Sequence, residues 1–460
     1  MPDPADPAQT GSVPSDSGSA DSGSADSGPA GTGTPGAAEP AGTPRRRAFL
    51  LGGLGAGVAG AVAGAAGGYA YRATRPAPAS QQALEDAEAG ALPPVPFHGK
   101  YQAGILPPAA RQTAVISFNA TADGRGELIG LFRTVTDRAR FLTAGGTPPP
   151  VGIGGAPSDS GTLGPAVVPD GLTVTLGVGS TLFDERYGLS ARLPARLTPM
   201  RTFPDDNLDP AQTGGDLVLQ LSAGHPDTVM HALRDIARHT RGGMQAIWRM
   251  DGFTSPARPA GTVPRNQLGF MDGISNPDPA SQAQMDKLVW IQPGTAGEPA
   301  WTAGGSYFVV RLIRMLVEFW DRVDITEQEN MIGRRRATGY PLDSNAIHAT
   351  PDFAHDPSGA VIPLTSHIRL ANPRTAQSGD SRILRRGYNY DRGIDDVGNL
   401  DIGLLFTSFQ QDLKRQFEAV QTRLIGEPLV DYISPFGGGY FLALPGVRDG
   451  SDYLGRSLLA

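Results

Sequence analysis

Cysteine is absent from all 460 residues. Structural disulfides, thiolate-held metals, iron–sulfur clusters and CxxCH-type cofactor attachment are therefore excluded, and a metal can be held only by histidine, by carboxylate or inside an organic cofactor. Histidine itself is scarce, with seven in the chain. Net charge is small too once the N-terminal region is set aside. Of the formal −7, residues 1–44 carry six acids and no base, and residues 45–97 carry five bases against three acids, which leaves −3 for residues 98–460. A body so close to neutral has no electrostatic signature of nucleic acid or of an anionic membrane as partner.

The first 44 residues also lack aromatic side chains, and they repeat "DSGSADSGSADSG". Such a segment cannot bury enough apolar surface to offset the entropy of ordering, so 1–44 is expected to be a disordered acidic tail. Next comes "TPRRRAFLLGGLGAGVAGAVAGAAGGYAY", a basic start followed by an uncharged run that is poor in Leu, Ile and Phe. That run is weakly suited to spanning a bilayer. The arginines with Ala48, Phe49 and Leu50 resemble a twin-arginine export signal, a route that carries proteins already folded. Residues 45–79 are assigned to this signal, with cleavage expected between Ala73 and Ala79 and retention as an anchor as the alternative. Residues 80–96 are a Pro/Ala/Gln linker. Export by this route places the protein in the periplasm, in the cell envelope or outside the cell.

From residue 97 the pattern is globular. "QTAVISFNAT" (112–121), "LTVTLGVG" (172–179), "DLVLQLSAG" (216–224) and "MQAIWRMDGF" (244–253) have strand composition. "RGELIGLFRTVTDRARFLT" shows apolar residues at helical spacing, and "PDTVMHALRDIARHTRGG" opens on Pro and ends in Gly-Gly, as helices do. The order βαββαβ is the ferredoxin-like arrangement. A second copy is expected from "SYFVVRLIRM" (306–315), a helix over 316–331, "SRILRRGYNY" (381–390), "DIGLLFTSF" (401–409), a helix over 411–425 and a last strand in "GGYFLALPG" (438–446). The fold class is α+β: two ferredoxin-like units, 97–290 and 291–460, forming a barrel-like protomer. A crevice between sheet and helices would suit a flat, mostly apolar ligand.

Two stretches stand apart from this framework. "GFMDGISNP" (269–277) sets Asp272 in an apolar, turn-rich context, and on local sequence it reads equally well as a turn capped by its own Asp side chain. "PLTSHIRLANPR" sets His367 in an apolar run with Arg369 and Arg374 close by. A lone imidazole there can ligate a metal through one nitrogen while the other donates to a carboxylate, or it can be an ordinary core histidine. His231 and His239, eight apart on one helix, read as helix residues, His225 as a turn residue and His98 as a chain-entry residue. His348 and His355 flank a loop without a supporting carboxylate cluster.

"GFMDGISNP" matches the GxxDG signature of the dye-decolourising peroxidases. "SHIRLANPR" is similar to that family's proximal-histidine segment, and "YQAGI", "GLLFTSFQQDL" and "GGGYFLALPG" resemble further family blocks. The particular blocks, with the export signal, resemble the bacterial deferrochelatase/peroxidase branch. The resemblance implies one non-covalent haem b per chain, with His367 as proximal iron ligand and Asp272 and Arg385 on the distal, peroxide-binding side. It selects Arg385 over its neighbour Arg386, because the family's arginine follows eighteen residues after the histidine, as Arg385 does here. It implies that Gly273, Ile274, Ser275, Asn372, Pro373, Arg374 and Arg385 line the haem and that Leu404 and Phe406 form distal apolar walls, strand residues in a core being the plain alternative for those two. Asp412 resembles the acid that hydrogen-bonds the proximal imidazole. Gly387 departs from relatives that carry Asn there, which puts a third polar distal group in doubt.

What the resemblance implies is one pocket with three uses. Hydrogen peroxide could oxidise dye-like or phenolic reductants there by single electrons, iron could be released from haem with the porphyrin intact, or haem could simply be carried. Nucleic acid is not expected as a partner. On a membrane iron-uptake partner and on self-association into a homo-oligomer the sequence is silent. A carboxylate base works best near its own ordinary pKa, so peroxide-dependent dye oxidation is expected to peak at about pH 4 to 5. The pH–rate profile checks this, and an optimum at about pH 7 to 8 contradicts a carboxylate base.

Overall fold

In the first unit three strands carry no charged residue, and both of their faces are largely covered. The computed structural model describes residues 90–460; the acidic tail, the export signal and linker residues 80–89 lie outside the described residues. The three strands are β1 (Gln112–Ala120), β2 (Thr173–Gly179) and β3 (Leu217–Ala223), the last two buried along their whole length. Alternation along β1 sends Ile116 into one core and Val115 into another. The first core lies under two helices, α1 (Arg125–Ala144) and α2 (Pro226–His239). Leu128, Leu131, Phe132, Val135, Ala139 and Leu142 form the buried stripe of α1, and Val229, Ala232 and Ile236 that of α2. Each large side chain so buried contributes about 1.5–3 kcal/mol.

Strand β4 (Met244–Phe253) completes this unit in the order β2-β3-β1-β4. The second unit repeats the plan with β5 (Ser306–Met315), β7 (Tyr388–Ile394), β8 (Leu400–Gln410) and β9 (Ile433–Ala443), in the order β9-β5-β8-β7. A two-residue strand, β6 (Leu384–Arg385), precedes β7 and pairs with β8. The units then join edge to edge. β2 pairs with β9 from Gly177–Ala443 to Gly179–Phe441, and β4 meets β7 at Phe253–Asn389, so the strands close into a ring. Among the described residues no helix is long and apolar enough to cross a membrane.

The strand expected over 381–390 is two, β6 and β7, and three further elements differ from the sequence reading, each for a local reason. The helix expected over 316–331 is two, α3 (Val317–Trp320) and α4 (Ile325–Ile332). Asp324 accepts a bond from the Glu327 N–H at 3.1 Å and starts a new helix, while Gln328 donates to the Trp320 and Val323 carbonyls in the gap. The helix expected over 411–425 begins with a wide turn, Lys414–Glu418, before α5 (Ala419–Leu424). That turn swings Gln416 inward, where its amide donates to the Leu288 and Arg382 carbonyls at 2.8 and 2.6 Å. The last strand starts at Ile433 rather than at residue 438, its first half disguised by Pro435 at a register shift against β5.

Ring closure depends on the β5–β8 seam, where Gly403 lies so close that a Cβ would strike the Ile313 carbonyl and the Tyr390 ring. Gly403→Ala is expected to cost about 3 kcal/mol by overpacking, read as a fall in the urea midpoint.

Candidate active site

The segment carrying Asp272 is a small hairpin. Arg265 bridges Met271, Asn266 N–H donates to the Phe270 carbonyl at 2.9 Å, and Asp272 N–H donates to the Pro264 carbonyl at 3.0 Å. Gly269 and Gly273 adopt φ of +86 and +89, which side-chain-bearing residues resist. Leu268, Phe270 and Met271 are buried and fix the hairpin to the protein. The turn is thus made by backbone, glycine and the Asn266 side chain, whose oxygen accepts from the Leu268 and Phe270 N–H groups, and the Asp272 carboxylate is not spent on it. It faces Arg385 instead, Oδ1 lying 3.2 Å from Nη1.

Arg385 sits on β6, and successive strand residues face opposite ways. Arg386 accordingly turns from Asp272 and donates to the Ile105, Pro107 and Pro108 carbonyls. Asn276 holds Arg385 from the hairpin side: its amide donates to the Arg385 carbonyl at 2.8 Å and accepts from the Arg385 N–H at 3.1 Å. A Cβ at Gly387 would lie 2.9 Å from Asp272 Oδ2, so the missing side chain there is room that Asp272 uses.

His367 opens a short helix, His367–Ala371. Its Nδ1 lies 3.0 and 2.8 Å from the two oxygens of Glu427, a carboxylate 3% exposed. Asp412 does not take this place. Its oxygens accept from Arg196 Nε at 2.7 Å and from the Arg415 N–H at 3.0 Å, committing it to the start of the wide turn. The His367 side chain is deeply enclosed and yet 28% exposed, as a group facing an internal space must be. Burial disfavours the imidazolium, but the Glu427 carboxylate outweighs it and holds the pKa above the ordinary 6.5. Arg385 lowers it and Asp272 raises it, so both distal charges are felt at His367. Nε2 makes no hydrogen bond among the described residues.

Cations crowd the same region. Arg334 is buried and donates to the Gly339 and Ile347 carbonyls and to Ser275 Oγ at 3.2 Å. Burial, with repulsion from Arg374 and Arg385, pushes its pKa down to about 10. Arg374, at φ +62, is also lowered, by burial and by Arg382. Among the described residues neither has a carboxylate in ion-pair range, a costly arrangement unless an anion arrives.

The other expected residues divide. Gly273 and Leu404 line a cavity with Asp272 and Arg385; Phe406, two residues along β8, packs on Phe417 at 6.0 Å and is not part of that lining. Ile274 lies against Gly339, and Ser275 bonds Arg334. Asn372 accepts from the Arg374 N–H and Ser378 Oγ, closing its own turn, with Pro373 between. Sequence reasoning missed Asn276, Arg334 and Glu427. Only Asn276 had a signal, its place in the Asp272 motif. Five of the other histidines are spent on neighbours: His98 on Arg140, His225 on Asp170, His231 on Asp159, His239 on the Asp235 carbonyl and His355 on Asp352.

Residues 102–254 match the family description "Dyp-type peroxidase, N-terminal" and residues 263–448 match "Dyp-type peroxidase, C-terminal". The chain belongs to the DyP-type peroxidase family. Deferrochelatase of Escherichia coli (strain K12) is 50% identical over 368 residues, 79% of this chain and 87% of that protein. Among solved structures, a DyP-type peroxidase from Cellulomonas bogoriensis superposes with TM-score 0.72 at 35% identity, covering 80% of this chain and 99% of the other. Ferric DtpA from Streptomyces lividans gives 0.72 at 35%, covering 81% and 98%. Like its relatives, this DyP-type peroxidase is a haem-dependent enzyme.

The residues present fit haem: an imidazole nitrogen without a hydrogen bond, backed by a carboxylate, and two guanidiniums that have no carboxylate partner among the described residues and could receive an anionic group. Because Nε2 must lose its proton to take iron, and because the raised pKa keeps that proton to higher pH, haem affinity is expected to start weakening above pH 6.5 as pH falls, by about tenfold per unit below the His367 pKa. Glu427→Gln should move the onset to lower pH. Haem titrations followed at the Soret band across pH check both.

Proposed function

We propose that this enzyme is an exported haem b peroxidase that uses hydrogen peroxide to oxidise phenolic or dye-like donors by one-electron steps. The observation that carries the reading is the Asp272–Arg385 pair at 3.2 Å, whose charges reach an imidazole with a free Nε2. The lack of cysteine supports non-covalent attachment, with His367 Nε2 holding the iron and Arg334 and Arg374 receiving the propionates. Haem, when bound, supplies the iron and the electrons that divide the peroxide O–O bond. Asp272 takes a proton from one peroxide oxygen through its carboxylate and returns it to the other. Arg385 cannot lose its own proton and steadies the negative charge that builds on the departing oxygen. Leu404 and the buried hairpin residues exclude water that would compete for these groups. The twin-arginine segment in 45–79 supports delivery of the folded protein out of the cytoplasm.

A second use of the same pocket is favoured by the 50% identity to proteins named deferrochelatase: iron release from haem with the porphyrin intact. The two separate by product. Metal-free porphyrin fluorescence after anaerobic incubation with haem supports iron release, and bleaching that requires peroxide supports oxidation. Asp272→Asn and Arg385→Leu are each expected to keep the Soret band and to slow the reaction with peroxide by about 10²- to 10³-fold, measured by stopped-flow absorbance. Unaltered rates in both would remove these two residues from the peroxide reaction and favour haem carriage.

A further inference from the structure

The near-neutral sum of the body conceals an uneven surface. α2 and the loop laid along it, residues 145–169, form a face on which positive charge and apolar surface gather. His231 and Asp235 turn inward on α2, where His231 Nε2 lies 2.6 Å from Asp159 Oδ1 and Asp235 accepts from Arg138 Nε at 2.6 Å. Met230, Arg234, Ala237 and Arg238 are exposed, as is Arg241 in the turn after the helix. Spaced four and three apart, Met230, Arg234 and Ala237 share one stripe.

The arginines there lack acids. Among the described residues Arg234 and Arg241 have no carboxylate in ion-pair range, and Arg238 donates to the Pro157 carbonyl. The neighbouring acids are spent: Asp159 on His231, Asp235 on Arg138, and Asp251 of β4 on Arg249 at 2.7 Å. Asp227, in the first turn of α2, is the one left over.

The loop supplies the apolar part. The eighteen residues from Phe141 to Ser158 carry no charge. Gly146 and Val167 exchange main-chain bonds at 3.0 and 2.9 Å and close the base, while Ser158 Oγ donates to the Pro149 carbonyl across it. Pro148, Pro149 and Pro150 fix three φ angles, and Gly155 N–H donates to the Gly152 carbonyl at 2.9 Å to make a tight turn at the apex. On that braced frame Val151 is 52% exposed and Ile153 92%. Four residues of chain keep Ile153 within about 14 Å of Pro157, and so beside the arginines.

A rigid apolar projection next to unpaired guanidiniums is complementary to an anionic bilayer, where aliphatic side chains enter the acyl boundary and arginines meet lipid phosphates. Gly152, Gly154 and Gly155 around the tip offer no side chains for a shaped protein pocket. Fluid acyl chains need none.

We propose that this face docks the folded enzyme on a membrane surface rich in anionic phospholipid, with Val151 and Ile153 inserted and Arg234, Arg238 and Arg241 on the headgroups. The contact is peripheral and reversible, since so few groups fall far short of an anchor. It requires neither haem nor residues 45–79, so it stands apart from the peroxidase reading.

The absence of cysteine makes the test direct. In the full chain, Ile153→Cys labelled with an NBD fluorophore is mixed with vesicles of phosphatidylcholine alone, or of two parts phosphatidylcholine to one part phosphatidylglycerol. Val397→Cys, on the exposed hairpin between β7 and β8, carries the same probe as control. The probe at 153 is expected to brighten and shift to the blue with the anionic vesicles and not with the neutral ones, while the probe at 397 stays unchanged. Arg234→Gln combined with Arg241→Gln is expected to lower the partition coefficient read at 153 by about 25-fold, about fivefold for each charge. A circular-dichroism melt confirms that this variant is folded. A probe at 153 that stays as in water overturns the proposal, even where vesicles sediment the chain through its N-terminal segment. An equal response at 153 and 397, or one indifferent to the two arginines, also overturns it. A 153 probe moved as much by soluble polyglutamate as by vesicles overturns lipid as the occupant and favours an acidic protein.

Discussion

Asn276 holds Arg385 by its main chain across 109 residues of sequence, and the polar architecture of the crevice is arranged around that clasp. β6 pairs with β8 on one side only, so Arg385 presents a free N–H and carbonyl at a sheet edge. A primary amide carries one donor group and one acceptor, as a neighbouring strand would, and Asn276 stands in for the missing strand. Each bond is worth about 1 kcal/mol net, but the gain is geometric. Asp272 comes from the same hairpin four residues earlier, so one loop sets both the main chain of the arginine and the partner of its side chain.

The interior is lopsided in charge. Arg334, Arg374 and Arg385 crowd one region, where Asp272 pairs with Arg385 alone and Glu427 is taken by His367. Packing like charges together works against folding unless something negative is enclosed with them. The depression of the Arg334 guanidinium, by burial first and then by Arg374 and Arg385, reflects that cost within the protein alone. A dicarboxylate porphyrin is the kind of guest that relieves it, and an axial nitrogen and an anionic edge then secure the same molecule at two places.

Where structure follows from side-chain pattern over a few residues, the sequence was readable. β2 and β3 are covered on both faces and read as uncharged strands rich in Val and Leu, and α2 declares itself by Pro226 and its spaced Val229, Ala232 and Ile236. Asp272 and His367 stood out because their context was unusually apolar for their chemistry, and the family resemblance added Arg385 by its spacing from the histidine. What could not be read was choice among equals at a distance. Asp412 and Glu427 are both acids following β8, and only the fold decides that Arg196 claims the first, leaving the second, 60 residues from the histidine, beside the imidazole. The break at 321–324 was closer to legible, since Asp324 with Glu327 three places on is a helix-start signature. Pro435 hid the start of β9 because proline is a poor strand residue except where pairing is already irregular.

The ring of strands also imposes an order of events on the ribosome. β2 and β4 are the edges of the first unit, and their outer neighbours, β9 and β7, are made hundreds of residues later in the case of β9 and after the whole crevice segment in the case of β7. Until those strands emerge, the nascent first half carries two unpaired, largely apolar edges open to strangers. The final eleven-residue strand therefore does more than complete a sheet: its arrival ends the period in which the newborn chain is most prone to cling to its neighbours.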